Sequence, residues 1–158
     1  MIEIVVVIGV VTLTYFLFFR KKDKKTDVKE DINVRYFYTQ FELELILKIN
    51  AYRRSLGLSS LIMNDYISSL CIDHNANMEK QGEASHNGFS DRGQRVIDNL
   101  GAIDVGENVA YNYLSADATL KAWIKSPEHK KNLENPHWNI MGLSNLNKYT
   151  TNIFAKRA

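Results

Sequence analysis

Apolar residues in the first part of the chain form an almost continuous run, and later ones recur with the spacing of helix faces and then of strands. Ile2 to Phe19 is apolar apart from Glu3, Thr12 and Thr14 and ends at a basic cluster. As a helix rising about 1.5 Å per residue it reaches roughly 27 Å, close to the hydrocarbon thickness of a bilayer. No basic region precedes the run and no small-x-small cleavage site follows it, which favours an uncleaved single-pass helix over a cleaved signal. Residues 20–35 are charged, show no apolar face and read as a solvated tether.

From residue 36 the pattern changes to that of a folded domain. Phe41, Leu45, Ile49, Tyr52 and Leu56 share one helical face, which Gly57 ends. Asn64 or Asp65 caps a second helix to about Gln81, with Ile67, Leu70, Cys71, His74 and Met78 along its inner side and Gly82 beyond it. Glu83 to Arg92 reads as a polar loop carrying His86, and Gln94 to Leu100 as a short helix closed by Gly101. Glu107 to Tyr111 is a short strand. Ser115 caps a helix with Leu120, Trp123 and Ile124 inward; it stops at Ser126-Pro127, because proline disfavours helix in the residue before it. A helical turn through His129 to Leu133 follows. Asn139–Asn145 and Tyr149–Ala155 are strands joined through Leu146-Asn147-Lys148. Helices with a few late strands predict an α+β fold.

Composition narrows the function classes. The chain has 158 residues, is 45% hydrophobic and carries a formal net charge of +2. Arg20 to Glu30 holds six basic residues against three acids, whereas fourteen face fourteen from Asp31 onward. The basicity belongs to the tether, so the domain lacks the basic excess of a nucleic-acid surface. Cys71 is the only cysteine, which excludes an intrachain disulfide.

Three stretches carry candidate chemistry: Ser85-His86, Gly106-Glu107-Asn108, and Trp123-x-x-Ser126-Pro127-Glu128-His129-Lys130-Lys131-Asn132-Leu133. With Asn50-x-x-Arg53 before them and Tyr149-x-Thr151-x-x-Phe154 after, they resemble the CAP superfamily of cysteine-rich secretory, antigen 5 and pathogenesis-related proteins, in its compact bacterial SCP form. The resemblance runs from Phe41 to Ala155. It implies an α-β-α sandwich with a three-stranded antiparallel sheet between helical layers, here preceded by one transmembrane helix: residues 1–19 an anchor, 20–35 a tether, 36–158 the domain. Two departures stand out. Glu128 replaces the usual glycine before His129, and the second acid that many eukaryotic members carry three residues after the tryptophan is Ser126.

The resemblance also implies an open cleft that gathers His86, Glu107 and His129. Two imidazoles and a carboxylate can bind Zn²⁺ with water in the open position and acidify that water. The three lie about twenty residues apart, unlike a zinc-peptidase helix, so spacing by itself carries no metal signal. Three alternatives stay open: a Zn²⁺ site, a polar cluster that fixes loops, and metal-free acid–base chemistry. At the level of function they become a membrane-anchored domain binding a protein or small, lipid-like ligand, a metal-dependent hydrolase or peptidase, and a structural interaction domain with a vestigial cleft. The expected partners are the membrane, through residues 2–19, and such a ligand, with no nucleic acid. His74 and Cys71 read as core residues, Ser85 as a loop residue and His137 as a turn residue. The basic cluster after the anchor places the domain in the cytosol by the positive-inside rule, whereas the family is usually exported, so the side of the membrane stays open.

Overall fold

A computed structural model describes residues 37–158. The expected anchor and tether lie outside them. No helix among the described residues is long and apolar enough to cross a membrane.

The first helix, α1 (Gln40–Ser55), starts with a capping box in which Thr39 and Glu42 satisfy each other's backbone N–H groups. It buries Leu45, Ile46 and Ile49. After Gly57, at φ +75°, the two-residue strand β1 (Ile62–Met63) leads to α2 (Asp65–Gln81), capped by Asn64 and ended by Gly82 in the left-handed region. Then come α3 (Phe89–Leu100), β2 (Ala102–Tyr111), α4 (Ala116–Lys125) and α5 (Pro127–Glu134). The hairpin β3 (Ile140–Leu146) and β4 (Tyr149–Arg157) closes the domain.

The sheet runs β1-β3-β4-β2. β4 pairs antiparallel with both β2 and β3, whereas β1 pairs parallel with β3, Ile62 opposite Ile140 and Met63 opposite Met141. The sheet is therefore four-stranded and mixed, which corrects the expected three-stranded antiparallel one. Two residues are too few to show alternation, and β1 exists because the chain entering β3 offers the Asn139 carbonyl to the Ile62 N–H and the Met141 carbonyl to the Asn64 N–H. Successive residues of β4 enter different cores. Phe154 joins Leu45, Ile49, Leu120, Trp123, Leu133 and Met141, while Ile153 and Ala155 join Ile67, Leu70, Cys71 and Val96. Helices thus cover both faces: α1, α4 and α5 on one, α2 and α3 on the other. Burial on both faces gives β3 and β4 nearly continuous buried runs.

The largest boundary differences from the sequence reading fall at α3, β2 and α5. Helix α3 begins at Phe89 rather than near Gln94, because Gly88 in the left-handed region starts it and Ser90 and Asp91 are ordinary first-turn residues. Strand β2 begins at Ala102, five residues before Glu107, because β4 extends to Arg157 and supplies partners for Asp104 and Gly106 despite their low strand propensity. Helix α5 is two full turns from Pro127 to Glu134. At Gly142 the backbone of α2 leaves no room for a side chain: a Cβ there would lie 2.3 Å from the Ser68 nitrogen.

Candidate functional site

Strand β2 organises the site. Gly106 is required by close approach, since a Cβ would meet Asn132 Oδ1 at 2.8 Å and the Trp138 ring at 3.1 Å. Glu107 turns its carboxylate inward, where the side chain is 1% exposed. Asn108, fully buried, donates from Nδ2 to the His129 carbonyl at 3.0 Å and accepts on Oδ1 from Asn132 Nδ2 at 2.9 Å. Asn132 Nδ2 also donates to the Glu107 carbonyl at 3.1 Å, and Trp123 Nε1 donates to the Val109 carbonyl at 3.2 Å. The Gly-Glu-Asn and Trp-to-Asn motifs are therefore two halves of one hydrogen-bonded unit that docks α4 and α5 on β2.

His86 reaches the site from the loop between α2 and α3. His74, buried on α2, meets the Ser85 carbonyl through Nε2 at 2.8 Å and so ties down that loop. His86 Nδ1 then lies 2.9 Å from Glu107 Oε1. A carboxylate only accepts, so Nδ1 carries the hydrogen and Nε2 takes no part in this bond. The His86 side chain is 53% exposed.

Arg92 is the member of the site that the sequence reading did not single out. It donates from Nε to Glu107 Oε2 and from Nη2 to Oε1, each at 2.9 Å, and from Nη1 to the Asn87 carbonyl at 2.8 Å. With side-chain exposures of 9% and 1%, Arg92 and Glu107 form a buried bidentate ion pair. Its signal was the helix period: once α3 starts at Phe89, Arg92 falls one turn before buried Val96, and both are on the inner face.

His129 stands on α5, half buried, with its ring centroid 6.4 Å from that of His86 and 6.5 Å from that of Trp123. Burial, followed by the nearby His86, pushes its pKa below the usual 6.5. The structure thus brings His86, Glu107 and His129 into one neighbourhood. It arranges them unequally: the His86 side chain is half exposed and His129 partly buried, whereas the Glu107 carboxylate is buried and engaged by Arg92. Ser126 ends α4 and begins α5, lining a groove of about 390 Å³ with Tyr113, Lys121 and Lys125.

As held, these residues fit a zinc ion poorly. Both Glu107 oxygens are engaged, and His86 Nε2 faces away from them. Among the described residues no group of three or more His, Cys, Asp or Glu side chains is placed to share an ion. The arrangement can instead accept hydrogen bonds at the imidazoles or move a proton through His86, oriented by Glu107. Elsewhere, Cys71 is fully buried with its thiol pushed far upward by desolvation, Ser85 Oγ accepts from the Asn87 N–H at 3.3 Å, and His137 lies in an exposed turn.

A model of the cysteine-rich secretory protein family, CAP, matches residues 46–151. The uncharacterized membrane protein YlbC of Bacillus subtilis is 28% identical over 148 residues, covering 90% of this chain and 42% of its own. An extracellular SCP-domain protein of Bacillus anthracis superposes with a TM-score of 0.68 at 26% identity, over 73% of this chain and 40% of that one. An outer surface protein of Borrelia burgdorferi shares the fold, with a TM-score of 0.65 at 22% identity over 85% of this chain and 98% of that one. The chain spans less than half the length of the two Bacillus relatives. With the family match over 46–151, the SCP-like superpositions and the docking of the Gly-Glu-Asn motif against the Trp-to-Asn motif, the chain belongs to the CAP family and carries a bacterial-type SCP domain.

Proposed function

We propose that this domain is held at a membrane by residues 2–19 and binds a protein or small, lipid-like ligand in the cleft between His86 and His129, without turning it over. One observation carries the binding reading: Glu107 is buried in its ion pair with Arg92, which leaves the half-exposed His86 and the partly buried His129, and no free carboxylate among the three, as the groups a ligand could meet. Membrane attachment draws support from the apolar run Ile2–Phe19 and from the description of the Bacillus subtilis relative as a membrane protein.

The test is an NMR titration of the full chain with two probes, a long-chain fatty acid and soluble cell-wall fragments. Saturable shifts at the His86 and His129 imidazoles, lost in His86→Ala and His129→Ala and without new products, support binding. No response to either probe counts against it.

The hydrogen bond from His86 to Glu107 favours a second reading, a hydrolase in which His86 is the general base. Product formation that stops in His86→Gln, with the fold retained, selects that reading.

A further inference from the structure

We propose that Arg92 stands in for a divalent cation at Glu107, so that the cleft works as a metal-free pair of imidazoles and becomes a zinc site only when the guanidinium is removed. This rests on the binding reading and deepens it by naming what the cleft rejects, yet it is tested separately.

Glu107 Oε2 accepts from Arg92 Nε at 2.9 Å, and Oε1 accepts from both Arg92 Nη2 and His86 Nδ1, each at 2.9 Å. An ion coordinated by this carboxylate would have to share it with these three donors and sit beside a permanent positive charge in a poorly solvated place. Arg92 is held at its other end as well: Nη1 donates to the Asn87 carbonyl at 2.8 Å, and the side chain is 9% exposed.

His86 adds a second obstacle. With Nδ1 committed to Glu107, only Nε2 is available to a metal, on the far side of the ring from the carboxylate. An ion bound there lies well beyond the zinc–carboxylate distance of about 2 Å. The two residues therefore cannot ligate one ion in this arrangement. Without the guanidinium, Glu107 has a vacant oxygen pair, the His86 ring is free to turn, and His129 stands 6.4 Å away, centroid to centroid, as a third donor.

Isothermal titration of the full 158-residue chain in neutral detergent with ZnCl₂ tests the idea. Arg92→Gln should bind Zn²⁺ at least about tenfold more tightly than the wild type, the scale on which groups surrounding a metal's ligands act. The gain should vanish in Arg92→Gln/His129→Ala, and Arg92→Lys, which keeps the charge, should resemble the wild type. Tight one-to-one binding by the wild type that is lost in His129→Ala would overturn the proposal. So would an Arg92→Gln variant with a native amide spectrum and no gain in affinity. The ¹⁵N imidazole spectrum of the wild type gives a reading that needs no variant. The Nδ1–H tautomer of His86 should persist in about tenfold excess Zn²⁺, and displacement of the His86 and His129 nitrogens together would refute the assignment. Neither readout involves the ligand titration, so the two proposals fail independently.

Discussion

Glu107→Ala leaves Arg92 buried without its counter-charge, and loss of one partner from such a pair costs about 3–5 kcal/mol. Urea unfolding should show that loss whether the domain binds, catalyses or only scaffolds. A lowered melting temperature in this variant therefore does not mark a vestigial cleft, and His86→Gln, at a half-exposed position, is the cleaner functional probe. His74 has a different consequence. Burial, and next the Arg92 charge, hold its pKa below the usual 6.5, and His129 is displaced the same way. Both groups bind protons more readily when unfolded, so their neutral forms suit the fold above pH 6.5, and stability falls as the pH drops below it toward their folded values. Denaturant midpoints measured between about pH 7.5 and 5 should decline, and His74→Gln should flatten the decline. That His86, Glu107 and His129 are neighbours was legible in the sequence because their flanking motifs carried them. Arg92 was not, because a polar first turn of α3 reads as loop until its inner face is known.

The contact between α2 and β3 allows no Cβ at residue 142. Gly142→Ala should destabilise by about 3 kcal/mol or more, at the upper end for overpacking, because helix and strand backbones must part. Gly101→Ala, at φ +64° with open space around it, should cost only about 1 kcal/mol by the same measurement. Thermal melts of the pair separate crowding from backbone strain. Sequence periodicity located α1, α2, α4, β3 and β4 because each has an apolar stripe or a capping residue of its own. It missed β1 and shortened β2 because those residues become strand through what they pair with: Ile62 through Ile140, and Asp104 through Lys156. Parallel addition of β1 is a tertiary event, and no local propensity announces it.

For the whole chain, the anchor reading predicts that the protein stays in the membrane pellet after alkaline carbonate extraction, and that deletion of residues 2–19 releases it to the supernatant. Retention of the deletion variant would show that the domain itself holds the membrane. The bonds that dock α4 and α5 also govern how the domain meets copies of itself. The Glu107 and Val109 carbonyls lie two residues apart, hence on one side of β2, and among the described residues β2 has no strand beyond it. Asn132 and Trp123 occupy these two acceptors. At these two positions the margin of the sheet is covered by side chains rather than by charge or proline, so the bonds that dock α4 and α5 also take acceptors that an added strand would need.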